Sequence, residues 1–169
     1  MNKLLLIILI TFSTLVSAVQ PQPGVNFKPT KEAIPTESKE KIEVVELFWY
    51  GCIHCYNFDP YVEVWKQEQG ADVRFERLPA VFTPEFAKAY YAAEILDVVD
   101  EVHTPIFNAL HIERKDMRRQ EALAAVFKRY GGVPEEDFLS VYESFAVQSR
   151  VQQAQARVAA YRVTGIPTM

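Results

Sequence analysis

Cys52 and Cys55 are the only cysteines in the chain, and Ile53 and His54 separate them. A disulfide between them would close a loop too small to restrict the unfolded chain much, so its worth as a staple is slight. Its worth as a reactive pair is greater. The apolar and aromatic run Glu46-Leu47-Phe48-Trp49-Tyr50 reads as a buried strand that stops at Gly51, and the cysteines follow where a helix should begin. Unpaired N–H groups and the positive end of the dipole at a helix start favour a thiolate on the first cysteine. His54, inside the pair, can add positive charge. Reversible thiol–disulfide exchange is the chemistry that this spacing suits. A structural zinc normally needs four protein ligands. The other histidines, His103 and His111, lack paired spacing and are read as solvated or structural, so no metal is expected. Covalent haem calls for histidine directly after the second cysteine, where Tyr56 stands. No cofactor is expected.

The elements that must position the pair can be read on either side of it. A strand is expected over Lys41 to Tyr50, then a helix from Cys52 to about Gln69, kinked by Pro60. Past Gly70, Val73-Arg74-Phe75-Glu76-Arg77-Leu78 alternates apolar and charged residues as a second strand does. The pattern then turns helical. Thr83-Pro84 and Thr104-Pro105 each resemble an N-cap followed by a first-turn proline. Apolar stripes recur at Phe86, Tyr90 and Ala93; at Ile106, Ala109 and Leu110; at Leu123, Val126, Phe127 and Tyr130; and at Phe138, Val141, Tyr142 and Phe145. These are read as core-facing surfaces. A last helix is expected over Val147 to Val163, before the break at Thr164-Gly165-Ile166-Pro167-Thr168-Met169.

At 169 residues, 49% of them hydrophobic, the chain can bury one substantial core. A formal net charge of -4 with no basic cluster argues against nucleic acid. The first residues stand apart. Lys3, the apolar run Leu4 to Ile10 and the small-residue step Val16-Ser17-Ala18 have the three-part pattern of a secretory signal peptide, with cleavage expected after Ala18. Residues 19–40, rich in proline, lysine and glutamate, read as an extended arm. Export would place the cysteines where disulfides persist.

Taken together, the order is strand, reactive helix, strand, helical block, and a turn into an Ile-Pro step. It resembles the DsbA family of exported thiol–disulfide oxidoreductases over about Lys41 to Met169. The family's Cys-Pro-His-Cys is matched by Cys52-Ile53-His54-Cys55, its following tyrosine by Tyr56, and its Gly-Val-Pro by Gly165-Ile166-Pro167. The resemblance implies an α/β thioredoxin fold carrying an inserted all-helical domain. Residues 41–83 would form the first part, 84–149 the insertion and 150–169 the return. The last strands and helix of the thioredoxin fold would be missing, so a carboxy-terminal truncation is expected.

The same resemblance implies a cis Pro167 facing the cysteines, a client-binding backbone at Ile166, and an acid–base pair at Glu46 and Arg77 beneath them. Read from the strand alone, Glu46 either points to solvent at an edge or lies buried with Arg77. Ile53 departs from the family's proline, freeing a backbone N–H and changing the surface that a partner meets. The function so implied is periplasmic dithiol oxidation of folding exported proteins with free thiols. Reoxidation would come from a membrane partner of the DsbB type, and a monomer is expected. A reductase or isomerase, or a non-catalytic binding module acting as a holdase, are the alternatives.

Overall fold

The computed structural model describes residues 20–30, 34–36 and 38–169; the expected signal peptide lies outside the described residues. Residues 20–30 belong to a unit of their own, separate from the unit Ile34–Met169. In it, Gly24 at φ +81° carries a turn in which its N–H donates to the Phe27 carbonyl at 2.7 Å.

In the larger unit, β1 (Ile42–Phe48) and β2 (Val73–Pro79) flank α1 (Ile53–Gln67), and five helices follow: α2 (Pro84–Ile95), α3 (Val99–His111), α4 (Gln120–Tyr130), α5 (Glu135–Tyr142) and α6 (Phe145–Tyr161). The strands pair in parallel, from Ile42 opposite Val73 to Phe48 opposite Pro79. Parallel neighbours need a crossover, and α1 supplies it. The Leu47 N–H and carbonyl turn the other way, to the carbonyl and N–H of Thr168 at 2.8 and 3.2 Å. Residues just past the Ile-Pro step are thereby laid along the second edge of β1.

The buried end of β1 is where strands and helices meet. Phe48 is fully buried, and its ring meets Tyr50 and His103 at 5.1 Å and Tyr90 at 5.3 Å. Farther along, Phe127 and Phe138 lie 4.4 Å apart between α4 and α5. Thr83 stands at the N-cap position of α2 with Pro84 in its first turn, as the sequence suggests, although its hydroxyl makes no capping hydrogen bond.

Three expectations need correction. Thr104-Pro105 does not open a helix: α3 starts at Val99 and carries Pro105 inside it. Burying Val102 and Ile106, one turn apart, outweighs the single backbone bond that the proline forgoes to the Glu101 carbonyl. The Thr104 hydroxyl instead donates to Asp59 at 3.0 Å. Phe145 does not join the core stripe of α5; it is 84% exposed at the start of α6, because Ser144 caps a new helix there. Tyr130, at the end of α4, is 43% exposed and has the Arg129 guanidinium over its ring. The helix α1 runs through Pro60 without a break, and α6 spans position 150.

Replacing Phe48 by alanine should lower the unfolding free energy by about 3–5 kcal/mol, the range for a fully buried aromatic ring. Urea unfolding followed by circular dichroism measures it, and a loss below about 1 kcal/mol would contradict the central place given to this ring.

Candidate active site

The turn from β1 into α1 is built by Trp49, Tyr50 and Gly51. A Cβ at Gly51 would collide with the Trp49 indole, so a side chain there would force that ring to move. The Cys52 N–H donates to the Trp49 carbonyl at 2.9 Å, closing the turn. Cys52 then serves as the N-cap of α1: its backbone is extended (φ -93°, ψ 115°), and its Sγ accepts the Cys55 N–H at 3.4 Å. A sulfur takes the place that a serine or aspartate oxygen usually fills. Both cysteines are free thiols, Cys52 half-buried and Cys55 fully buried. Burial chiefly pushes the Cys55 thiol up to about 12, and the hydrogen bond and charge of Cys52, with the charge of Glu46, add to the rise.

The Ile166–Pro167 peptide is cis, and the Cys52 thiol points at the Ile166 carbonyl, 3.8 Å away. Their separation of 114 positions in sequence is bridged by the pairing of Thr168 with Leu47. His54 stands exposed in the first turn of α1, as does Ile53.

Beneath the pair, Glu46 is buried, which settles its two orientations in favour of the core. Arg77 Nε donates to it at 3.0 Å, and Arg77 Nη2 reaches Asp59 at 2.9 Å and Glu63 at 2.6 Å. One cation thus serves three carboxylates. Burial pushes the Glu46 carboxyl up, and Arg77 offsets only part of this while Asp59 and Glu63 add to it. Asp59 shifts the other way, because hydrogen bonds from His103 and Thr104 and the Arg77 charge outweigh its burial. Bonds from Arg77 and Lys66 likewise hold Glu63 low against its burial. A cleft of about 330 Å³ between α1 and α3 reaches Asp59 and Thr104.

Cys52, Cys55, Ile166 and Pro167 therefore come together, with Glu46 and Arg77 behind them. Sequence reasoning missed Tyr50, Asp59, His103 and His111. Asp59 lies one turn past Cys55 on the inner face of α1, a signal that helical spacing carries. Of the two readings of His103, solvated or structural, burial selects the structural one: its Nε2 is 3.2 Å from Asp59 and its Nδ1 2.8 Å from the Tyr50 hydroxyl. The two histidines lie eight residues apart in one helix, and only the position of α3 shows that both reach Tyr50.

A family model for a DSBA-like thioredoxin domain matches residues 57–169. The thiol:disulfide interchange protein DsbA of Pseudomonas aeruginosa is 40% identical over 149 residues, covering 86% of this chain and 70% of that protein. The chain belongs to the DSBA-like thioredoxin domain family. DsbA of Burkholderia cepacia is 34% identical over 178 residues, 100% of this chain and 84% of its own length. The crystal structure of P. aeruginosa DsbA superposes with a TM-score of 0.76 at 40% identity, over 82% of this chain and 73% of that one. The oxidoreductase DsbA from Xylella fastidiosa gives 0.72 at 37% identity, over 77% and 72%. Members of this family share a thioredoxin fold elaborated with helices, which is the fold described above.

Arg77→Met should destabilise the protein by about 3–5 kcal/mol near pH 7, since it leaves buried carboxylates without their cation. Asp59 and Glu63, held low when folded, contribute stability above the ordinary carboxylate range and lose it as pH falls through their folded values. Glu46, pushed up, runs the other way: its contribution is fullest in acid and is lost as pH rises. Arg77 is responsible for much of the first effect, so the gap between wild type and variant should narrow below about pH 4. Urea melts at both pH values test this; a gap that widens in acid would contradict the assignment.

Proposed function

We propose that this chain is a protein-disulfide oxidase of the periplasm, donating a Cys52–Cys55 disulfide to exported proteins that carry free thiols. The observation that carries the reading is the inequivalence of the sulfurs. Cys52 caps the helix within reach of the Ile166 carbonyl, while Cys55 lies fully buried behind it. A client thiolate attacks Cys52 Sγ, forming a mixed disulfide and expelling the Cys55 sulfur. With its thiol pushed up to about 12, that sulfur takes a proton on leaving, and Glu46 is the nearby acid suited to supply it. A second client thiolate attacks the client sulfur of the mixed disulfide, releasing Cys52 as the thiolate. The client leaves oxidised and the enzyme leaves as the dithiol.

Ile166 offers backbone to an extended client in the manner of an added strand, with Pro167 keeping that loop beside the sulfurs. His54 contributes positive charge at the mouth of the site when protonated. A membrane protein of the DsbB type completes the cycle by reoxidising the dithiol. The apolar run of residues 4–10 directs export, and no helix among the described residues is long and apolar enough to cross a membrane.

The test is transfer to a reduced peptide bearing two cysteines. The oxidised chain should convert it to the disulfide; Cys55→Ser, its Cys52 first converted to the mixed disulfide with thionitrobenzoate, should exchange thionitrobenzoate for a peptide bearing one cysteine and stop at the mixed disulfide; Cys52→Ser should do neither. Iodoacetamide should label Cys52 of the reduced chain well before Cys55, as peptide mapping would show. The reduced form should also unfold at higher urea than the oxidised one, because the amide donor and dipole of the helix start favour negative charge on a sulfur, which a disulfide cannot take up. If the oxidised form is clearly the more stable at neutral pH, the chain is a reductant.

A further inference from the structure

Tyr50, two residues before Cys52, is gripped at both ends by one helix. Its hydroxyl lies 2.8 Å from Nδ1 of His103, and its backbone carbonyl lies 2.8 Å from Nε2 of His111. Eight residues of helix, a little over two turns, separate the histidines, so they address the two ends of the same tyrosine. Their protons can be assigned from their partners. A carbonyl only accepts, so Nε2 of His111 carries hydrogen. Nε2 of His103 faces the Asp59 carboxylate at 3.2 Å and donates to it, leaving Nδ1 to accept from the Tyr50 hydroxyl. Burial favours the neutral histidine and the protonated tyrosine that this arrangement needs.

The His111 ring is itself held in place. It stacks on Tyr56 at 5.2 Å and 19°, and the Tyr56 hydroxyl donates to Asn108 Oδ1 at 3.0 Å. Tyr56 directly follows Cys55. Hence α3 holds a residue on each side of the cysteine pair, although it contributes no atom to the reacting sulfurs.

We propose that His111 is a positioning residue for the redox pair: by holding the Tyr50 carbonyl it fixes the Tyr50–Gly51–Cys52 turn and so favours the dithiol over the disulfide. The weak point of that turn is Gly51, which has no side chain to pack in place. The turn sets where Cys52 Sγ meets the Cys55 N–H, at 3.4 Å. A thiolate accepts such a bond more strongly than a disulfide sulfur does, so a turn free to drift costs the reduced form more than the oxidised one. The inference rests on the redox function proposed above.

The experiment is equilibration with glutathione, in which the enzyme dithiol and one glutathione disulfide give the enzyme disulfide and two glutathione thiols. Two electrons and two protons pass to glutathione. For His111→Leu, the constant should move about three- to tenfold toward the enzyme disulfide, the range expected for one hydrogen bond. Alkylation of Cys52 at neutral pH should slow as well. His111→Gln, whose amide can still donate to the Tyr50 carbonyl, should recover at least half of that shift on a logarithmic scale. Asn108→Ala, which frees Tyr56 and loosens the His111 ring, should shift the constant the same way but less. It also serves with His111→Gln if the leucine variant does not fold. An unchanged constant in His111→Leu, or a glutamine variant displaced as far as the leucine one, overturns the inference. If the wild-type chain does not exchange with glutathione at all, the redox reading falls and the inference with it. Exchange by the wild type with no effect of His111→Leu overturns the inference alone.

Discussion

A guanidinium almost cut off from water must find its acceptors inside the protein, and the acceptors of Arg77 determine what surrounds the cysteine pair. Glu46 comes from β1, and Asp59 and Glu63 come from α1, so one side chain of β2 ties the strand before the cysteines to the helix after them. Three carboxylates against Arg77 and the Lys66 that reaches Glu63 still leave negative charge in excess, and the structure divides it unequally. Asp59 and Glu63 stay ionised, whereas the carboxyl of Glu46, deepest against the sulfurs, is pushed toward holding a proton. Asp59 extends the ties to α3 through His103 and Thr104. Breaking a buried pair of this kind is costly, since any partner left behind is a charge without solvent.

The two cysteines differ by surroundings, not by chemistry. Three residues apart on one helix turn, they would be near equals in water. The helix start gives Cys52 an amide donor and an opening, while the floor of the site gives Cys55 burial and a neighbouring acid. An exchange reaction needs this asymmetry: one sulfur must be approached, and the other must accept a proton and stay out of the way.

Much of this site was legible in the sequence because its parts are local or carry strong spacing. The strand, the glycine and the cysteines lie within the fourteen residues Ile42 to Cys55, and Glu46 and Arg77 fall at matching positions on strands that pair. Helical stripes at Phe86, Phe127 and Phe138 identified core faces because burial repeats with the helical period. What was not legible depends on how helices are placed. Thr104-Pro105 has the composition of a helix start, and only the packing of Val102 and Ile106 shows that the helix begins earlier. Phe145 continues a stripe by spacing but falls beyond a break at Ser144. The service of α3 to Tyr50 has no pattern at all in one dimension, since residue 50 and residues 103 and 111 meet only after the helical block folds back on β1.

The two strands do not face the same hazards. β1 has partners on both sides, β2 on one and Thr168 on the other, while among the described residues β2 pairs with β1 alone. An edge of unpaired amides is an invitation for another chain to add itself as a strand. Here the edge strand is only seven residues long, carries the charged Arg74 and Glu76 along its length, and ends in Pro79, which has no N–H to offer. Arg157 of α6 clasps the Glu76 carboxylate with both guanidinium nitrogens, laying a charged strap over the strand. Short length, charge and a closing proline thereby shield the edge of β2 that β1 leaves uncovered from another chain adding itself there.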